Sequence, residues 1–430
     1  MRGTHAFSGL ARLRGIGLMT LAALLLTLAG RTLLPWDQLF PDVICYWTAG
    51  KILAAGQNPY DAALQTEIQQ DYGWDKATRG FGLFDYLPYY YPPWFGLLWV
   101  LLVPLGYAAA KTVWFFVNLE CTLLAGYLLR RSVPGVPAWV PMVVASLFLF
   151  SVACVVLGQT ALVIFFLIVL LWRLLEQRQD AWAGVALAWL TIKPQLTVVL
   201  ILAILLWAVR QRRWRVVLVF FVTVVLLCLI SALIVPSWLA QMWGAIRHTP
   251  SPTAYYPWIG NSWLLVLKAF ALPSWLVYGL YLGGALLFLG TVLMAAANPK
   301  GPLAEVLGAS ILAAFFVAPY ARHYDFPPLL IPALILLGNR VKPLLGAALG
   351  MALVIIPYIQ LYLLASRKAP DESAPQFVNE STYFWVPLLL AVAWFTLRNP
   401  LSSRNRFSFG HAPARLPDEV DNQSRHESDK

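Results

Sequence analysis

Charge is scarce in this 430-residue chain: 12% of its residues are Asp, Glu, Lys or Arg, where soluble domains carry roughly 25%. That shortage excludes an ordinary soluble protein. Cysteine is also sparse. Cys45, Cys121, Cys154 and Cys228 are far apart, so no metal or redox spacing exists, and they read as apolar packing residues. Acids are few as well, 20 against 31 bases. The net charge of +11 is nevertheless no nucleic-acid signature, because the bases cluster in short turns such as Arg210-Gln211-Arg212-Arg213-Trp214-Arg215. Such turns mark the cytoplasmic ends of membrane spans. They are too short to build a nucleotide-sugar domain, and no dinucleotide motif, internal repeat or soluble domain is visible.

What is present is apolar. Hydrophobic residues make up 60% of the chain and mean hydropathy is +0.68. Repeated runs approach the ~20 residues that cross a bilayer as helix. Unalternating stretches such as Val216–Val235 exclude a β-barrel, which leaves an all-α polytopic membrane protein of roughly 11 to 13 spans. The first span, Gly15–Leu34, follows Arg2, Arg12 and Arg14. Its length and the poor cleavage site at Arg31–Pro35 read as an uncleaved anchor. Basic residues place both termini inside. Downstream, spans at Val216–Val235, Ser274–Ala297, Leu303–Ala318, Phe326–Gly338, Pro343–Leu364 and Tyr383–Leu397 alternate between bases inside and Arg322–Asp325 outside. Pro236–Gly260 and Ala365–Thr382 are expected outside, with Asn298–Pro302, Arg340 and Lys342 inside. Between Pro93 and Ala208 the alternation is ambiguous. Pro93–Leu105 and Ala181–Ile192 are short, and Arg130-Arg131 competes with Glu176–Asp180 for the inside, so broken helices are expected there. Residues 1–397 form one domain, and the polar tail 398–430 reads as cytoplasmic and disordered.

One loop breaks the charge rule. Residues 35–93 hold seven acids against three bases, a balance of −4, and therefore belong on the external side. Val43, Ile44, Tyr46, Trp47, Ile52 and Leu53 after Asp42 suggest a short amphipathic helix in the interface, ended by Gly56 and Asn58-Pro59. Asp42 would be its N-cap, a catalytic carboxylate, or both. Lys193, flanked by apolar residues before Pro194, is either a functional cation or a snorkelling lysine. Glu120 in mid-span reads as an interhelical hydrogen-bond partner rather than a proton relay. Asp325, the rival catalytic acid, can pair with Arg322. Tyr89-Tyr90-Tyr91 and Trp94 form either a sugar-stacking surface or an interfacial belt. Gln159 and Asn261 could bind sugar hydroxyls or satisfy helix ends.

Asp42 with Tyr46, Ala54-Ala55-Gly56, Asn58-Pro59-Tyr60-Asp61 and Tyr91-Pro92-Pro93 resembles the first external loop of GT-C glycosyltransferases. It is most similar to glycosyltransferase family 87, the polyprenyl-phosphate-mannose-dependent mannosyltransferases. Gly158-Gln159, Lys193-Pro194-Gln195, Arg210–Arg215, Pro319 and His323-Tyr324 extend the resemblance over about residues 15 to 365. The resemblance implies a GT-C bundle and Asp42 as catalytic base. It also implies Lys193, Arg322 and His323 at the donor phosphate, and Tyr46, Asn58, Tyr60, Tyr91, Gln159, Asn261 and Tyr324 near substrate. The implied reaction moves a hexose, mannose first, from a polyprenyl phosphate to a hydroxyl of a lipid or glycan acceptor, with inversion, at the external face of a bacterial inner membrane. No cofactor is implied. Some GT-C enzymes carry two adjacent acids in this loop; Pro41-Asp42-Val43 departs from that pattern and argues against a diacid metal site. The alternative, a transporter or lipid flippase, would show symmetric halves with matched broken helices, and none are visible. A non-catalytic scaffold would give Lys193 no purpose.

Overall fold

The structure is a computed structural model that describes residues 3–36, 39, 41–75, 84–133, 135–248, 252–339, 343–365 and 379–397. The tail 398–430, Asp37, Lys76, Arg79, Arg340 and Lys342 lie outside the described residues. Within them every regular element is helical, as the long apolar runs require.

α1 (Gly3–Leu33) runs antiparallel to α5 (Tyr107–Leu129). Small residues let the two helices approach closely: a Cβ on Gly30 would stand 2.9 Å from the Phe115 ring. Thr20 Oγ1 donates to Glu120 Oε1 at 2.7 Å, so the mid-span glutamate makes the interhelical bond that its position suggested. The intervening segment holds α2 (Val43–Ala54), α3 (Ala62–Asp71) and α4 (Pro93–Val100). α2 is not the amphipathic interfacial helix expected. Ten of its residues, Val43 to Gly50 with Ile52 and Leu53, are buried, because α4 and α5 cover the side that was expected to face solvent. Gly50 permits this, since a Cβ there would lie 2.7 Å from Trp99 Cβ on α4. The helix ends at Gly56, whose φ of +69° suits a residue without Cβ.

After α5 comes a broken pair, α6 (Val140–Leu147) and α7 (Leu149–Leu157), bent by 53° where Phe148 leaves helical geometry with ψ 120°. α8 (Ala161–Glu176) and α9 (Asp180–Trp189) follow, and a 3-10 turn, Leu190–Ile192, leads to α10 (Pro194–Arg210). The interruption falls at Lys193, since Pro194 opens the next helix. Thr197 Oγ1 donates to the carbonyls of Leu190 and Lys193 and so satisfies groups that the break exposes. Arg130-Arg131 and Glu176–Asp180 do not compete: Ser132 Oγ donates to Glu176 at 3.0 Å, so both turns occupy one end of the bundle. Arg213 joins them there through Asp180 and the Leu175 carbonyl.

α11 (Trp214–Ile234) leads back to the opposite end, where α12 (Trp238–His248), α13 (Pro252–Tyr255) and α14 (Trp263–Ala269) are short. α15 (Ser274–Ala297), α16 (Leu303–Val317), α17 (Leu330–Asn339), α18 (Pro343–Ala365) and α19 (Trp385–Thr396) complete the chain. By length and composition five helices can each cross a membrane, α1, α5, α11, α15 and α18, and the bent pair could make a sixth. Shorter apolar helices, α10 and α16 among them, fill the interior. The protein is thus an all-α polytopic membrane protein.

Candidate active site

The site is assembled at the end of the bundle where α2 begins. Asp42 precedes α2, but its carboxylate makes no cap bond. The true N-cap in this region is Asp61, which accepts from the N–H groups of Ala63 and Leu64. The Asp42 carboxylate instead accepts from Gln159 Nε2, and its backbone N–H donates to the Leu157 carbonyl at 3.2 Å. These two bonds tie the start of α2 to the tip of the broken pair. Gly158 turns the chain there with φ +74°, and Trp114 Nε1 holds its carbonyl at 2.7 Å.

Gln159 is itself supported. Its Oε1 accepts from Tyr46 Oη at 3.5 Å, Tyr46 Oη meets Tyr91 Oη at 3.2 Å, and Tyr91 Oη meets Thr160 Oγ1 at 3.4 Å. Tyr60 Oη donates to the Tyr91 carbonyl at 2.8 Å, while Asn58 Oδ1 accepts from the Tyr60 N–H and closes a local turn. Tyr46, Tyr60 and Asn58 are therefore structural neighbours of the carboxylate's support. Tyr89 and Trp94 are buried, not a belt. Two residues not singled out in the sequence brace this segment. Gln69 exchanges hydrogen bonds with both backbone groups of Leu87, and Gln65 accepts from the Tyr89 N–H. Their only sequence signal is a four-residue spacing on one polar helix.

The Asp42 side chain remains half-buried. Burial disfavours its ionised form, while the Gln159 hydrogen bond, Arg322 and Lys193 favour it; the balance raises its pKa to about 6. The charges of Lys193 and Arg322 are thus felt at Asp42. Both already have carboxylate partners. Lys193 Nζ donates to Asp325, and the two side chains are 3% and 0% exposed. The expected Arg322–Asp325 side-chain pair does not form; Asp325 Oδ2 accepts from the Arg322 backbone N–H. The guanidinium reaches Glu380, with Nε to Oε2 at 2.9 Å and Nη2 to Oε1 at 2.6 Å. His323 Nδ1 lies 2.6 Å from the same Oε2. Burial opposes ionisation of Glu380, but Arg322 and then His323 outweigh it and hold its carboxyl at about 2. Glu380 was absent from the sequence reading, which treated its surroundings only as an external connection.

Tyr324 is buried, 5.2 Å from Lys193 Nζ at its ring centre, with its hydroxyl on Tyr320 at 3.1 Å. Asn261 donates its backbone N–H to the Ala321 carbonyl at 2.7 Å, beside Arg322. Its side chain is fully buried, yet both amide atoms lack a partner among the described residues. Orphaned buried groups cost roughly 1–3 kcal/mol each, and a hydroxyl-rich ligand could satisfy them. Among the described residues no three His, Cys, Asp or Glu side chains gather as a metal-ligating group.

The arrangement sets one half-buried carboxylate with a raised pKa in the field of two cations, each paired with a carboxylate of its own. The profile of glycosyltransferase family 87 matches residues 89–321. That span includes Tyr91, Gln159, Lys193 and Asn261 but stops short of Asp42, Arg322, His323 and Glu380, so it is narrower than the resemblance drawn from motifs. No curated protein and no solved structure matches the chain.

Proposed function

Because the chain belongs to glycosyltransferase family 87, a membrane glycosyltransferase, we propose that it moves a hexose, mannose first, from a polyprenyl phosphate to a hydroxyl of a lipid or glycan acceptor. The reaction takes place at the external face of a bacterial inner membrane. The observation that carries this reading is the half-buried Asp42, held by Gln159 with its pKa near 6 and acted on by two cations. The acceptor oxygen attacks the anomeric carbon as the bond from that carbon to the phosphate oxygen breaks. The acceptor proton passes to Asp42 as general base, and the phosphate leaves with the bonding electrons. A single base and in-line displacement invert the anomeric centre, by the geometric logic of inverting glycosidases. The leaving phosphate needs cationic donors, the role assigned to Lys193, Arg322 and His323. Gln159, Tyr91, Tyr324 and Asn261 supply polar and aromatic groups around the sugar; Tyr46, Tyr60 and Asn58 act from behind them. The charge balance of residues 35–93 supports the external face.

The test is incubation of the purified protein with polyprenyl-phosphate mannose and a membrane lipid extract. A new mannosylated product, abolished by Asp42→Asn, is expected. No product with this donor, alongside transfer from another activated sugar, would replace the donor assignment.

A further inference from the structure

Two basic side chains assigned to the donor phosphate share one carboxylate. Glu380 lies in the 3-10 turn Glu380–Phe384 just before α19, 58 residues after Arg322. Both of its oxygens are engaged: Oε1 accepts from Arg322 Nη2, and Oε2 takes Arg322 Nε and faces His323 Nδ1. Its side chain is 7% exposed, against 13% for Arg322 and 15% for His323. Among the described residues, Arg322 Nη1 and His323 Nε2 make no side-chain hydrogen bond. Each basic group is therefore held by one edge, and its other edge makes no side-chain hydrogen bond among the described residues.

Resting on the polyprenyl-phosphate reading above, we propose that Glu380 is a positioning residue for the donor phosphate, holding Arg322 and His323 so that Nη1 and Nε2 are the donors offered to it. The fork geometry fixes the guanidinium plane. A carboxylate on Nδ1 fixes the orientation of the imidazole, as carboxylates do behind metal-bound histidines. Glu380 could instead be a plug that occupies the phosphate's own place and leaves when the donor arrives. Its displacement would leave a buried carboxylate without partners, which is strongly unfavourable. A group held by three contacts belongs to the permanent frame. The same contacts tie the start of α19 to the Arg322 loop. Glu380→Gln disrupts the arrangement without changing size, because an amide NH2 would face an N–H donor at one of the two oxygen positions.

The experiment measures inhibition of mannose transfer by undecaprenyl phosphate, the carrier without its sugar, together with the KM values of donor and acceptor. Glu380→Gln is expected to weaken inhibition and raise the donor KM by about tenfold or more, the effect of losing a charge-assisted hydrogen bond. The acceptor KM should stay within about twofold. In an Arg322→Lys background the further loss from Glu380→Gln should shrink, because the two residues act through one contact. Glu380→Asp keeps the charge on a shorter arm and should also weaken donor binding; it serves as the test if the Gln variant does not fold. An unchanged inhibition constant in both variants would overturn the proposal. So would tighter binding, the result expected of a plug, or equal losses for donor and acceptor. If the wild-type protein itself neither transfers mannose nor responds to undecaprenyl phosphate, the donor reading fails first. If the wild type responds and both variants match it, the role of Glu380 alone fails.

Discussion

Asp42 and Asp325 are carboxylates close to the same cations, but their partners differ in kind. Asp325 is fully buried on Lys193 and the Arg322 backbone, whereas Asp42 is half-buried on a neutral carboxamide. Asp42→Asn should lower transfer by about 10²–10⁴ with little change in folding, since no cap bond is lost. Asp325→Asn should act through stability, because it leaves a buried lysine unpaired, at a cost of about 3–5 kcal/mol. Transfer rates beside thermal unfolding in detergent separate the two; wild-type transfer by Asp42→Asn would remove the catalytic assignment. The pH dependence follows from the same carboxylate. Asp42 acts as a base only when ionised, so kcat/KM should fall as pH drops through about 6. Gln159 favours the ionised form, so Gln159→Leu should move that limb to higher pH. A limb unmoved in Gln159→Leu would show that another group sets it. For stability the sign is opposite. A folded-state pKa raised from the usual carboxylate range, about 4, means that the contribution of Asp42 to stability declines as pH rises from there through about 6.

At the scale of elements, close backbone approach sets the site. α2 can present Asp42 because Gly50 lies against Trp99, and Gly96 in turn faces the Leu53 side chain, 2.6 Å from where its Cβ would be. Gly50→Ala would force the two helices apart, since the atoms it meets include the Trp99 backbone carbon at 2.8 Å. Overpacking of this kind costs about 1–3 kcal/mol. The variant should unfold earlier and lose transfer together; full activity at wild-type stability would show that the contact relaxes freely. The apolar residues of α2 were legible in the sequence, but not the cover over its second face, because α4 and α5 lie far along the chain. The break at Lys193 was legible, since Pro194 removes a helical hydrogen bond. The bend at Phe148 had no such marker.

For the whole molecule, the two ends differ in chemistry. One gathers Arg173, Glu176, Asp180 and Arg213; the other holds Asp42, Lys193, Arg322 and Glu380. Placing the second end outside makes a direct prediction. In a background with Cys228, the least buried cysteine, replaced by Ser, Glu67→Cys on α3 should react in intact cells with a membrane-impermeant maleimide. Arg210→Cys, also exposed, should react only after permeabilisation. The reverse pattern would put the site on the cytoplasmic face and exclude an externally presented donor.

Composition alone determined that this chain spans a membrane as helices, because unpaired backbone groups are intolerable in lipid and no alternating strand pattern exists. The order of motifs from Asp42 through Gln159 and Lys193 to His323 determined the family resemblance. Only the tertiary structure decided which charges answer one another. Lys193 meets Asp325 across 132 residues and Arg322 meets Glu380 across 58, separations at which sequence position says nothing about proximity. The same holds for Asp42, whose local neighbours promised a helix cap but whose carboxylate is held from 117 residues away. Burial removes water as a partner, so each buried charge takes whatever complementary group the packed helices bring near, and that choice exists only once the helices are assembled.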